Sequence, residues 1–245
     1  MPRTPWVPPT QARSLSLSSR TQVVCAWTSI VCILLSGLAF VIADFIPPPK
    51  ADASAQDIAD FYANHTGRIR AGLLLMFISW AGWGTLVACI ATQMQRIEGV
   101  RPIMTNILML SGGAAWMFVL LPTIVLTVAA YRPERSPEIT QTLHDLDWIS
   151  AFFPFLVFAM FATAMAVAIF QDPGPNPVFP RWLAYVNIWA EALFIPAAAL
   201  IFFHSGVFSY HGMFPFWIPL LVFGGWVLLL AWAVRQAALN EMRTS

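Results

Sequence analysis

Charged residues are scarce in this chain of 245 residues. They make up 10% of it, against roughly a quarter in ordinary soluble domains. Hydrophobic residues make up 58%, and a water-soluble fold of this size could not bury so much apolar surface. Apolar groups that face lipid carry no such penalty. The composition therefore indicates a membrane protein, and the even spread of apolar segments predicts one membrane domain without a separate soluble domain.

Basic clusters and metal-binding motifs are missing as well. Basic residues are scattered singly, so nucleic-acid binding has no electrostatic support. The three cysteines, Cys25, Cys32 and Cys89, lie in apolar segments and form no CxxC or Cys/His spacing. No HExxH or HxxxH box is present. The sequence thus contains no motif of a known catalytic metal centre.

Six apolar segments are long enough to cross a bilayer as helices. They predict an all-α fold, a polytopic transmembrane bundle over residues 23–240. Residues 1–22 are polar and proline-rich, which predicts a disordered inner-side tail, and residues 241–245 form a second short tail. The first span also fits a signal peptide, but its length favours an uncleaved helix. The predicted spans are about 23–43, 69–94, 103–130, 143–170, 182–204 and 214–236.

A proline-rich turn and a surface helix are predicted between the first two spans. Three consecutive prolines at 47–49 forbid helix continuation. Ser54 and Asp57 have the spacing of a capping box. The apolar residues that follow are spaced for a short amphipathic helix on the outer surface, at about residues 54–65.

The same stretch resembles a recurrent pattern in uncharacterised multi-pass membrane proteins of bacteria. The resemblance implies a bacterial inner-membrane protein, and it transfers neither an activity nor a functional residue. It is carried by Phe45-Ile46-Pro47-Pro48-Pro49, Ser54-Ala55, Ile58-Ala59 and Phe61-Tyr62.

The distribution of basic residues indicates an orientation. With an inner N-terminus, eight basic residues lie inside and five lie outside, which favours both termini in the cytoplasm. The inner residues are Arg3, Arg13, Arg20, Arg96, Arg101, Arg181, Arg235 and Arg243, and the outer residues are Lys50, Arg68, Arg70, Arg132 and Arg135.

Glu191 is the first candidate for a functional residue, because it lies near the centre of the fifth span. An ionisable group at this depth is costly and should face the bundle interior. Asn187 lies one turn earlier on the same helical face, and Asn106 in the third span has a similar predicted depth. These residues could form a proton or substrate site, or they could simply hold helices together by hydrogen bonds.

A second candidate site lies at the outer side, where all four histidines fall. His144 and Asp147 share a helical face, while Asp44 and His204 end the first and fifth spans. Imidazole and carboxylate groups can bind a metal ion or act as an acid–base pair. Solvent-exposed polar residues at helix ends are the simpler interpretation. Arg68 and Arg70 begin the second span on this side and could bind an anionic group.

Phenylalanines in the fourth span offer a third possibility. Phe155, Phe158 and Phe161 follow one side of the helix and could line a pocket for a small apolar ligand, although apolar helix faces more often contact lipid or a partner subunit. Two functions from different classes follow. The favoured one is a non-catalytic transporter-like protein or a subunit of a larger membrane complex. The alternative is a membrane enzyme with an outer His/Asp site, with or without a metal ion, acting on a lipid or other apolar substrate.

Overall fold

Eight α-helices and three short irregular helical segments make up the described chain. The structure, a computed structural model, describes residues 9–244 and the side chains of residues 18–243. The helices are α1 (Pro9–Ile42), α2 (Ala55–Ser79), α3 (Ala81–Glu98), α4 (Ile103–Tyr131), α5 (Pro137–Phe152), α6 (Phe155–Gln171), α7 (Trp182–Phe194) and α8 (Ile218–Thr244). Two 3₁₀ segments, Ile195–Phe202 and Gly206–Phe208, and a π-helical turn, Met213–Trp217, lie between α7 and α8.

Six helical segments of the described chain are long and apolar enough to span a membrane, which confirms the predicted fold class. They are Ser18–Ile42, Ala55–Glu98, Ile103–Tyr131, Pro137–Gln171, Trp182–Phe202 and Gly206–Arg243. The chain is therefore a multi-pass membrane protein. Such segments satisfy their own backbone hydrogen bonds, as the hydrocarbon interior requires.

The predicted surface helix is not a separate element. Its capping box is present, since the Ser54 hydroxyl accepts the Asp57 amide and the Asp57 carboxylate accepts the Ser54 amide. The helix does not end near residue 65, however, and α2 runs without interruption to Ser79. From residue 55 to residue 98 the helical path is about 66 Å long, twice the ~30 Å hydrocarbon core. The first turns of α2 therefore project beyond the core as an extension of the span.

Both predicted tails are also shorter than expected. Residues 9–22 belong to α1, and residues 241–244 belong to α8, while residues 1–8 and 245 lie outside the described residues. The two helices extend because they are hydrogen-bonded to each other and to α3. Ser19 donates to Glu241 across 2.8 Å, and the Gln93 amide donates to Gln22 across 2.7 Å.

Small residues allow the helices to pack closely around α1. A Cβ atom added to Gly72 would lie 2.7 Å from the Ala39 carbonyl oxygen, and one added to Gly82 would overlap the Cβ atom of Cys32. Helix α1 packs on α8, α2 and α3, while α4 packs on α6, α5 and α3. Close contact of this kind matters because lipid tails provide no hydrophobic force between helices.

Five of the six spans are interrupted or distorted. The second span is interrupted at Trp80, between α2 and α3. Helix α4 contains Pro122, and Pro154 separates α5 from α6. Pro196 lies in the 3₁₀ continuation of α7, and the sixth span begins with the π-helical turn. A proline within a helix removes one hydrogen bond and crowds the preceding turn, so these positions mark local departures from the regular helix.

Candidate functional site

Aromatic residues from four segments form a buried cap at the predicted outer end of the bundle. Phe45 follows α1, Tyr62 lies on α2, Trp148 lies on α5, and Tyr210 and Phe216 precede α8. The Trp148 ring stacks on Tyr210 at 6.1 Å and meets Phe45 edge-on at 5.8 Å. Several residues of the family-like sequence pattern, Phe45 and Tyr62 among them, therefore serve to build this cap.

His144 is the polar centre of the aromatic cap. It is fully buried, and its Nδ1 atom lies 2.9 Å from the Tyr62 hydroxyl and 3.3 Å from Trp148 Nε1. An indole nitrogen can only donate, so Nδ1 accepts both hydrogen bonds and the proton of the neutral ring resides on Nε2. That Nε2 atom is buried and has no hydrogen-bond partner in the described chain. His144 thus offers one unused donor.

Asp147 lies one turn after His144 and is also buried, at 2% exposure. Its carboxyl group makes no hydrogen bond or ion pair with any described residue and borders a cavity. A buried carboxyl group without a partner is costly. Groups of this kind inside a membrane are functional candidates by default.

The cavity beside Asp147 lies in the half of the bundle that is predicted to be outer, and it has a volume of about 190 Å³. It exceeds the roughly 150 Å³ apolar cavity that holds benzene in an engineered protein. Among the described residues, ten aromatic side chains line its wall, and Asp147 is the only ionisable residue there. The space is therefore suited to a small, mainly apolar molecule that carries one polar group.

The helix irregularities converge on this cavity. Each distorted span contributes to the wall at or next to its irregular position: Trp80, Pro122, Phe152, Ala197 and Phe216 all line the space. Irregular backbone is tolerated at membrane depth where it borders a cavity or is buried in protein. Interrupted helices around a central binding site are also typical of secondary transporters.

The structure brings together two of the four predicted metal ligands. His144 and Asp147 are buried neighbours, but Asp44 faces His65 at 3.5 Å and Arg68 at 3.4 Å, and His204 is exposed. Among the described residues, no group of three or more His, Cys, Asp or Glu side chains could hold a metal ion. The physical reason is that α5 turns its His144 face inward, whereas Asp44 and His204 lie at helix ends.

The two arginines proposed to bind an anion are engaged within the protein. Arg68 pairs with Asp44, and Arg70 donates to the carbonyl oxygens of Ala130 at 3.1 Å and Tyr131 at 2.9 Å. These carbonyls end α4 and lack partners within their own helix. Arg70 therefore caps a helix, a role that its position at the start of a span did not reveal.

The predicted midplane patch is divided. Asn187 is fully buried, accepts a hydrogen bond from Trp226 Nε1 at 2.9 Å and donates to the Leu183 carbonyl. Glu191 is half-buried and accepts from Thr163 at 2.8 Å instead. Asn106 is exposed in the first turn of α4. It lies three residues into α4, whereas Glu191 lies nine residues into α7.

Sequence reasoning missed Tyr62, Trp148 and Tyr210 as members of the site. Tyr62 was visible only as part of the family-like pattern. The phenylalanine prediction had a mixed outcome, because Phe155 and Phe158 line the cavity while Phe161 is buried in the core.

Compared with known proteins, the chain matches no family model, no curated protein and no solved structure.

Proposed function

We propose that this multi-pass membrane protein is a non-catalytic, transporter-like carrier that binds a small, largely apolar molecule in the cavity beside Asp147. The observation that carries the proposal is the unpaired, buried carboxyl group of Asp147 in the wall of a space bounded by five irregular helix positions. A purely structural bundle gains nothing from such a group, because it is costly unless a ligand or proton satisfies it.

Occupation of the cavity is tested by filling it. Gly224 lines the cavity and the next residue, Gly225, is exposed, and a Cβ atom added at either position meets no atom within 4 Å. Leucine at position 224 should occupy the cavity, whereas leucine at position 225 should point to lipid and serve as the matched control. Both substitutions change helix propensity equally.

The measurement is thermal unfolding of the purified protein with benzyl alcohol, a neutral probe slightly larger than benzene. At ten times its Kd, the probe should stabilise the wild type and Gly225→Leu by about 1.4 kcal/mol. Gly224→Leu should show no stabilisation. Equal responses of all three proteins would contradict binding in this cavity.

Carrier behaviour is tested by access from both sides of the membrane. With Cys25, Cys32 and Cys89 replaced by serine, a cysteine introduced at Ala151 in the cavity wall is the reporter, and one at the exposed Ile188 is the lipid-facing control. In sealed vesicles, a membrane-impermeant thiosulfonate should label Ala151→Cys from either side, because a carrier exposes its site alternately. Labelling from one side alone would indicate a receptor-like pocket instead.

A second candidate function is catalysis at the His144–Asp147 pair. The observation that favours it is the unused Nε2 donor of His144 one turn from the cavity carboxyl. General acid–base chemistry requires such a group within reach of substrate. Chromatography of lipid extracts incubated with the wild type and with His144→Gln would reveal a product that only the wild type forms; identical profiles would exclude this candidate.

We also propose a bacterial inner membrane as the location, with the helix ends around Gln22, Gln93 and Glu241 in the cytoplasm. The predicted excess of basic residues supports this orientation, and the sequence pattern supports a bacterial inner membrane. If the protein were instead a subunit of a larger complex, it should co-purify with fixed partners in mild detergent, whereas a carrier should purify alone.

A further inference from the structure

The polar side chains in the cavity wall differ in whether they are already satisfied. The Thr123 hydroxyl accepts from Trp80 Nε1 at 3.0 Å and donates to the Val119 carbonyl at 2.9 Å, so both of its functions are used. The Ser36 hydroxyl and the Asp147 carboxyl also line the cavity, and neither forms a hydrogen bond within the described chain. A bound molecule can therefore contact one hydroxyl and one carboxyl group.

The rest of the wall restricts the charge of that molecule. No basic side chain of the described residues lines the cavity, so an anion would face Asp147 without compensation. A neutral apolar molecule would leave the carboxyl group unpaired and buried. A cation satisfies the carboxylate, and the aromatic rings of the wall can add a cation–π attraction. The chemistry of the wall thus favours an organic ammonium group attached to a small apolar body.

The protonation of Asp147 depends on whether a cation is bound. An ionised carboxylate with no counter-ion in an apolar space is strongly disfavoured, so Asp147 carries a proton when the cavity is empty. The titratable groups that face it in the described chain are Tyr62 from α2, Tyr210 from the segment before α8, and His144 one turn earlier on its own helix. Lysine and arginine are absent from this group, so no fixed cation replaces the proton.

We propose that Asp147 exchanges its proton for an organic ammonium ion, so that one proton leaves the cavity for each cation that enters. The carboxyl O–H bond breaks, the proton passes to water, and the carboxylate forms an ion pair with the ammonium N–H groups. The site is neutral before and after the exchange. This inference rests on the proposed carrier function and specifies its substrate class and its coupling ion.

Benzylammonium is the test probe, because it has the shape of benzyl alcohol and differs in charge. Between about pH 5 and 7.5 an alkylammonium keeps its charge, so any pH dependence arises from the protein. Affinity of the full-length protein for both probes is measured by calorimetry at pH 5, 6 and 7. We expect the affinity for benzylammonium to rise about tenfold per pH unit, as displacement of one proton requires, with no such change for benzyl alcohol.

Two variants complete the test. Asp147→Asn should bind benzylammonium at least tenfold more weakly than the wild type, and its affinity should no longer depend on pH. Asp145→Asn is the matched control, since Asp145 accepts a hydrogen bond from Tyr210 at 3.3 Å and lies outside the cavity wall. It should behave like the wild type. Calorimetry of the wild type in two buffers of different ionisation enthalpy should show one proton released per cation.

The outcomes separate this inference from the carrier proposal. Binding of benzyl alcohol without tighter, pH-dependent binding of benzylammonium would overturn the exchange and leave the cavity as a site for neutral molecules. Equal losses in the Asp147 and Asp145 variants would also overturn it. Failure of both probes to bind would refute the cavity as a ligand site and the exchange together.

Discussion

Replacing Tyr62 by phenylalanine removes one hydroxyl group from the centre of the aromatic cap. The hydroxyl lies 2.9 Å from His144 Nδ1, and both side chains are fully buried. Because Trp148 Nε1 still donates to the same Nδ1 atom at 3.3 Å, the acceptor keeps a partner. The substitution therefore removes one net hydrogen bond and should lower the free energy of unfolding by about 0.5–1.5 kcal/mol. For a chain of this size, the corresponding decrease in Tm is roughly 1–6 °C.

The same substitution should increase the stability of the protein when His144 is absent. In His144→Phe, the Tyr62 hydroxyl and the Trp148 indole N–H both lose their acceptor, at a cost of about 1–3 kcal/mol each. Removing the Tyr62 hydroxyl in that background eliminates one unsatisfied group. The double variant Tyr62→Phe/His144→Phe should therefore be more stable than His144→Phe alone, a non-additivity that a double-mutant cycle measures directly.

Equilibrium unfolding in mixed micelles of detergent and SDS would follow the four proteins of this cycle. Tyr185→Phe is the matched control, because Tyr185 is exposed on α7. It should change stability by less than about 0.5 kcal/mol. The assignment of Tyr62 as the donor to His144 would be wrong if Tyr62→Phe had the same effect with and without the histidine.

Two further substitutions test the packing and the midplane residue. Gly82→Ala should destabilise the protein by about 1–3 kcal/mol, because the added methyl group overpacks against Cys32. Gly37→Ala is the control and should be neutral or stabilising, since an added Cβ atom there meets no described atom within 4 Å. Equal unfolding midpoints for the two variants would contradict the close approach of α1 and α3. Glu191→Gln should leave the unfolding midpoint and the Kd for benzyl alcohol unchanged within experimental error. The amide oxygen still accepts a hydrogen bond from Thr163, and residue 191 lies outside the cavity. Loss of benzyl alcohol binding would show that Glu191 contributes to the binding site.

Two of the four residues in the predicted outer His/Asp cluster converge in the structure, and two do not. The spacing of His144 and Asp147 placed both on one face of a helix, and the structure buries both. Asp44 and His204 were included because they lie at similar depth along the sequence. Depth follows from counting residues, but whether side chains converge depends on the rotation of each helix and on the neighbours that it contacts. That information is absent from the apolar pattern.

The sequence alone determined that the chain crosses a membrane six times, because each span needs about 20 apolar residues and this requirement is local. Pro122, Pro154 and Pro196 lie at irregular positions of three of these spans. Only the tertiary structure decided that these irregular positions meet at one cavity, that Asp147 lines it without a partner, and that Tyr62 and Trp148 hold His144 beside it. Each of these features joins residues from different helices, and helix packing in lipid depends on shape complementarity and hydrogen bonds between segments, which no single segment encodes.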